Sequence, residues 1–171
     1  ALNGIVSLKT IRNAGDKQTE LIRKWLHDHH QLEIGEKTAE KIKKDVGSAI
    51  KIHSTKFNVI GKNVTDGIPK QIEISTDEIT KALNSAVVDI TEAIKQALDK
   101  TPSEHSSDIM KNGIILTGGG SLLKGLDLYI RNRTNLPVNV SEDPLLAIVQ
   151  GTGTVLNNIQ DFNKKGVLIN T

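Results

Sequence analysis

One apolar stripe sets the terms for this chain. Between Ser75 and Asp99, the residues Ile79, Ala82, Leu83, Ala86, Val87, Ile90, Ala93, Ile94, Ala97 and Leu98 recur at three- and four-residue steps. That spacing gathers every apolar side chain onto one side of an α-helix. Ser75 followed by Glu78 is a capping box, which supplies partners for the first free N–H groups and fixes where the helix starts. At 1.5 Å per residue the helix is roughly 35 Å long, enough to cross a small domain. An apolar face of that length must be covered by other elements. The rest of the sequence is therefore read for what can pack against it.

Upstream, "NGIVSLKTIRN" is rich in β-branched residues, and Ile5 to Ile11 reads as a strand. "GDKQTELIRKWLHDHH" follows as a helix, with Asp16 at its N-cap and Leu21, Ile22, Trp25 and Leu26 on one face. "GEKTAEKIKKDVGSA", residues 35–49, is a second, more polar helix. Phe57 and Val59 alternate, as do Ile72 and Ile74, and Asp66-Gly67 between them marks a hairpin turn. Pro69 places its strand at an edge, because proline has no N–H for a central ladder. Downstream, Thr101, Pro102 and Glu104 suggest a second capping box with proline at the first helical position. Then come the strand "GIILT", three glycines, a helix to about Arg131, the short strand "PVNVS", and a helix from Asp143-Pro144 to about Ile159. The order βα, β-hairpin, α, α, βαβα predicts an α/β sheet carrying a small inserted subdomain.

Composition removes several classes. There is no cysteine, which excludes disulfides, thiol catalysis and cysteine-based zinc sites. A net charge of +2, with 2% aromatic residues, gives no support to nucleic-acid binding. No apolar run approaches the roughly 18 residues of a membrane span. Ala1 without a preceding methionine, opening almost directly on a strand, gives the look of a fragment or a processed product.

Chemistry concentrates at "LTGGGSLL". A strand that ends in glycines and opens a helix presents free N–H groups to phosphate or ribose oxygens. The loop is not a Walker A motif, because Leu123 and Gly125 stand where that motif needs glycine and Ser/Thr, and Leu123 also breaks the dinucleotide fingerprint. Spacing alone slightly favours a tight turn that lets the next helix pack. At Glu36, Lys37, Thr38 and Ala39 a carboxylate could accept ribose hydroxyls and a lysine stem could lie along a base. On spacing, an ordinary Glu40–Lys44 surface pair is the stronger reading of that helix. Gly151 and Gly153 inside a helical pattern imply close packing more than a ligand, at about 1 kcal/mol each relative to alanine. His27, His29 and His30 lack the further ligands of a metal site. Asp45-Val46-Gly47-Ser48 imitates a phosphate hairpin but ends a lysine-rich helix.

Four stretches together carry a resemblance: "SLKTIRNAGDKQTELIRKW", "IGEKTAEKIKKDVGSA", "DGIPKQIEISTDEI", and "GIILTGGGSLLKGLDLYI" through "TNLPVNVSEDPLLAIVQGTGTVL". In order and over almost the whole chain, the sequence resembles the MreB family of bacterial actin homologues, the rod-shape-determining filament proteins. The resemblance implies half of an actin/Hsp70-like ATPase fold of the ribonuclease H-like type, truncated at its N-terminus. Residues 1–35 and 79–171 would form subdomain IIA, and 36–78 the inserted α+β subdomain IIB. It implies ATP as ligand, with the adenosine side of the cleft on Glu36, Lys37, Thr38, Ala39, Gly118, Gly119, Gly120, Ser121 and Leu122. The family's two phosphate hairpins, its Mg²⁺ ligands and its membrane-contacting segment have no counterpart here, so this chain alone is expected not to hydrolyse ATP. It further implies nucleotide-dependent, head-to-tail self-association through the IIA end and the hairpin around Asp66-Gly67. The parent protein is expected in the cytoplasm, at the inner face of the membrane. Two other classes share parts of this reading: half of an Hsp70-type chaperone ATPase or sugar kinase, and an interaction module without nucleotide chemistry.

Overall fold

The computed structural model describes residues 5–13 and 15–164. Its centre is the striped helix, α3, spanning Thr76–Asp99, 24 residues. The capping box at its start is formed, with the Ser75 hydroxyl and N–H both engaged by the Glu78 carboxylate. Ile79, Leu83 and Val87 are fully buried, Ala82 and Ala86 nearly so. Beyond Thr91 the stripe is only half covered.

α1 (Gly15–His30) and α2 (Glu36–Val46) pack against each other and against α3. In α1, Ile22 and Leu26 are fully buried, while Leu21 and Trp25 lie at the margin. Asp16 sits inside the first turn, not at the N-cap, and its charge there complements the helix dipole. α1 ends where Gln31 takes a left-handed φ of 53° and its carbonyl accepts the Val64 N–H. That bend brings β1 (Leu32–Glu33) alongside β2 (Lys56–Asn63), which pairs with β3 (Pro69–Ser75) in an antiparallel sheet ordered β1-β2-β3. Phe57 stands opposite Ile74 and Val59 opposite Ile72, and Val59 and Ile74 face the core. The Asp66-Gly67 turn forms as expected: Gly67 has φ 75° and Asp66 Oδ1 accepts the Ile68 N–H. Pro69 lies on the edge strand.

After α3 comes a 3-10 turn at Ser103–His105 and α4, Ser106–Asn112. The second capping box does not form. The Thr101 hydroxyl donates back to the Ala97 carbonyl, and Pro102 itself takes the cap position. β4 (Ile114–Leu116) pairs in parallel with β5 (Val138–Val140), and α5 (Leu126–Thr134) connects them. The helix expected from Asp143-Pro144 to about Ile159 starts later, as α6 (Ala147–Asn157), and a further short helix, α7 (Ile159–Lys164), follows it.

One further expectation fails. Residues 5–11 form no strand: Ile5, Val6, Leu8 and Ile11 are exposed, and no ladder partner lies beside them among the described residues. A strand exists only through its pairing, so β-branched composition is insufficient here. Among the described residues the strands form two small sheets, the hairpin with β1 in one and β4 with β5 in the other, and one hydrophobic core runs from Leu32, Val59 and Ile74 through α3 to Leu123, Ile130 and Val138.

Leu83→Ala should destabilise the chain by about 2–5 kcal/mol, because a fully buried leucine leaves a cavity. Ile68→Ala, at an exposed site on the hairpin, should stay within about 0.5 kcal/mol. Denaturant melts of the two variants beside the parent chain check both.

Candidate functional site

The glycine loop is built by three constraints. β4 ends at Leu116, and Gly118 turns the chain with φ 79°, a conformation that side chains resist. Its N–H bonds the Pro144 carbonyl at 2.8 Å. The buried Ser121 hydroxyl then donates to the Gly118 carbonyl at 2.7 Å, closing Gly119–Leu122 into a 3-10 turn. The expected helix therefore begins late, at Leu126. Gly125 has φ 71°, and a Cβ there would meet Ile50 Cγ1 at 2.5 Å.

The loop's far end is fastened to the end of α2. Ser48 forms a parallel bridge with Lys124, and its buried hydroxyl donates toward the carbonyls of Ile50 and Lys124 at 2.7 and 3.0 Å. The Ala49 N–H bonds the Lys124 carbonyl, and the Lys124 ammonium reaches the Asp45 carbonyl. Asp45-Val46-Gly47-Ser48 is thus a helix end and a seam, not a phosphate hairpin.

Between the loop and α2 lies a hollow of about 780 Å³. One wall is the backbone of Gly119 and Gly120 with Leu122, Leu123 and Leu145. Leu122 and Leu145 are 54% and 63% exposed, an apolar rim open to solvent. The opposite wall is the face of α2 bearing Glu40, Lys43, Lys44 and Gly47, with Gly15 and Gln18 of α1 at the floor. Helix geometry explains which residues of "EKTAE" reach it. Glu36 lies on the same stripe as Glu40, one turn further from the loop, and is exposed, as is Lys37. Thr38 lines a groove on the β2 side of α2, and Ala39 is fully buried in the core. Of the α2 residues, Glu40, Lys43 and Lys44 line this hollow. The sequence reads Glu40 and Lys44 as an ordinary surface pair.

That pair is present at 3.2 Å, but Glu40 does more. Its Oε2 pairs with Lys43 and accepts the Thr19 hydroxyl at 2.7 Å. The Lys43 ammonium, then the Thr19 hydroxyl, hold the Glu40 carboxyl down to about 2 from 4.5, against a smaller opposing effect of burial. The three histidines have other work. His27 bonds Asp28, His29 stacks on Trp25 with centroids 3.8 Å apart, and His30 pairs with Glu78 at 2.5 Å. Among the described residues no group of three His, Asp or Glu side chains could hold a metal ion. Gly151 and Gly153 lie on the exposed α6, and a Cβ at either would meet nothing within 4 Å, so packing among the described residues does not account for them.

Comparison with known proteins follows the same outline. The family model for MreB/Mbl protein matches residues 1–164. The cell shape-determining protein MreB of Escherichia coli is 38% identical over 160 residues, covering 93% of this chain and 46% of that protein. The cell shape-determining protein Mbl of Bacillus cereus is 36% identical over 168 residues, 98% of this chain and 50% of that one. The crystal structure of MreB5 of Spiroplasma citri bound to AMPPNP superposes with a TM-score of 0.86 at 34% identity, over 95% of this chain and 49% of that one. The MamK double helical filament, at 20% identity and a TM-score of 0.65 over 79% of this chain and 42% of that one, shares the fold. The molecule is an α/β half of an actin-like ATPase fold. Within that class, the chain belongs to the MreB/Mbl family. It spans about half the length of the curated relatives it matches.

Because the Glu40 carboxyl is lowered in the folded chain, its contribution to stability is complete above about 4.5 and disappears as pH falls toward 2. Glu78 acts in the same sense: burial opposes its ionisation, but the Ser75 N–H and His30 outweigh burial and lower it. Chemical denaturation at pH 6, 4 and 3 should give stabilities that fall in that order. A carboxyl-detected NMR titration should place Glu40 near 2 and Lys43→Met should bring it back toward 4.5.

Proposed function

We propose that the hollow holds the nucleoside part of an adenine nucleotide, and that the chain is the adenosine-side half of a filament-forming ATPase of the MreB type. One observation carries this reading. A Cβ on Gly120 would meet nothing within 4 Å, and one on Gly119 only Leu145 Cδ2 at 3.5 Å. Internal packing therefore does not require glycine at either position, whereas a ligand lying on the backbone does. The apolar rim of Leu122 and Leu145 suits the face of a base, and Glu40 suits a ribose hydroxyl. Gly118 and Ser121 hold the loop's shape, and Glu36 and Lys37 meet the ligand's outer edge. Thr38 and Ala39 shape α2 without contact. Support from outside the chain is the AMPPNP in the similar MreB5 structure.

In this reading ATP hydrolysis is the work of the full-length protein, and this chain handles the nucleoside, not Mg²⁺ or the γ-phosphate. Residues 1–35 and 79–171 serve as subdomain IIA and 36–78 as IIB. Self-association runs head to tail, with the hairpin tip as one surface. Ile60 in β2 and Val64 and Ile68 at the turn are 65%, 44% and 61% exposed, an apolar group along the hairpin. A contact that does not close on itself extends into a filament. The protein acts in the cytoplasm against the inner membrane face; no helix among the described residues is long and apolar enough to cross a membrane.

Calorimetry with ATP and ADP should detect binding that Gly120→Val abolishes, with circular dichroism and melting temperature unchanged. Equal affinity in the variant rejects the hollow as the site. Sedimentation velocity over a wide concentration range should show a weight-average mass that rises with concentration and falls back on Ile68→Asp. An invariant monomer rejects the hairpin surface.

A further inference from the structure

We propose that Thr19 of α1 is a positioning residue for the nucleoside site, fixing the Glu40 carboxylate through its hydroxyl so that the second carboxylate oxygen faces the ligand. This rests on the reading of the hollow given above.

Thr19 is 4% exposed and touches no ligand space itself. Its Oγ1 lies 2.7 Å from Glu40 Oε2, 3.0 Å from the Gly15 carbonyl and 3.0 Å from Lys43 Nζ. A hydroxyl has one proton to donate, and a carboxylate is a stronger acceptor than a carbonyl. The proton therefore goes to Glu40, and the oxygen accepts from Lys43. The Lys43 ammonium has three protons, and three acceptors surround it: the Gly15 carbonyl at 2.9 Å, Thr19 Oγ1, and Glu40 Oε2. No Lys43 donor remains for a ligand phosphate.

Glu40 is the member of this cluster with capacity left. Oε2 is occupied on the α1 side, while among the described residues Oε1 has a single partner, the largely exposed Lys44 at 3.2 Å. The loop wall opposite contributes no charge, only Gly119, Gly120 and the leucines. What this wall recognises is thus a hydroxyl donor held against a fixed carboxylate, and Thr19 determines where that carboxylate points.

The experiment compares the parent chain with Thr19→Val, Thr19→Ala and Thr19→Ser by two readouts. NMR titration follows the Glu40 carboxyl, and calorimetry measures ADP against 2′,3′-dideoxy-ADP. Loss of a hydrogen bond to a charged group predicts about tenfold or greater weakening of ADP in Thr19→Val and Thr19→Ala. The same variants should raise the Glu40 midpoint from about 2 toward 4.5, and Thr19→Ser should restore both properties. Discrimination against the dideoxy compound should shrink in the variants that lack the hydroxyl. An unchanged Glu40 titration in both Thr19→Val and Thr19→Ala overturns the proposal, even where affinity falls, because that outcome marks a packing role only. If the parent chain binds no ADP, the nucleotide reading fails, and the titration still decides whether Thr19 holds Glu40.

Discussion

The seam at Ser48 and Lys124 is the contact on which the rest of the site depends. A fully buried hydroxyl, a parallel backbone bridge and a lysine reaching a helix-terminal carbonyl join two segments 76 residues apart in sequence. Buried polar groups are tolerated only where they are satisfied, so the seam permits little sliding. It holds the glycine loop at one separation from α2, and that separation is the width of the hollow. Gly125 completes the arrangement from below, since any side chain there would displace Ile50. Without this joint, β4, the loop and α5 would be held to α1 and α2 chiefly through α3 and the shared core.

Given that frame, the electrostatics of the hollow follow a simple logic. Three lysine protons and one threonine proton are consumed within the α1–α2 wall, which leaves the wall ordered before a ligand arrives. Preorganisation of this kind lowers the ordering that binding must otherwise impose. It also keeps Glu40 ionised far below neutral pH. The facing wall supplies backbone and apolar surface instead of charge. A flat heterocycle with hydroxyls on one side suits such a pair of walls better than a bare anion, which Glu40 would repel.

The sequence disclosed elements whose signal is local and lost those that exist only by tertiary pairing. The α3 stripe, the Ser75–Glu78 box and the Asp66-Gly67 turn are short-range features, and each appears where expected. Leu32–Glu33 carries no strand signal in two residues; it pairs because Gln31 bends left-handed after α1. Ile5 to Ile11 shows the reverse, with β-branched composition and no partner. The glycine loop was legible as a strand-to-helix turn because three glycines in succession need a cause. In "EKTAE" the 100° step between residues turns Ala39 inward and Thr38 toward β2. Glu40 and Lys43 were hidden because i,i+3 and i,i+4 charge pairs are the commonest surface pattern of all. Thr19 gave no signal, since its role depends on α1 lying against α2.

One helix connects the two surfaces that the proposed function requires. α1, sixteen residues long, begins at the hollow, where the Gly15 carbonyl and Thr19 hold Lys43 and Glu40, and it ends at His30, beside the turn of the hairpin. There the Gln31 carbonyl accepts the Val64 N–H, the Gln31 side chain accepts the Thr65 hydroxyl, and His30 grips Glu78 at the cap of α3. A rigid helix of that length, about 24 Å by its rise, transmits a shift at one end as a displacement at the other. In the proposed function, nucleotide-gated association would need no relay beyond this helix. A ligand that pulls on Glu40 acts, through Thr19, on the same element that sets the hairpin's angle. Because Glu78 caps α3 and pairs with His30 at once, a change in that angle must be accommodated at the start of the central helix. In the proposed function, the route from nucleoside to hairpin surface would be short and would run along α1.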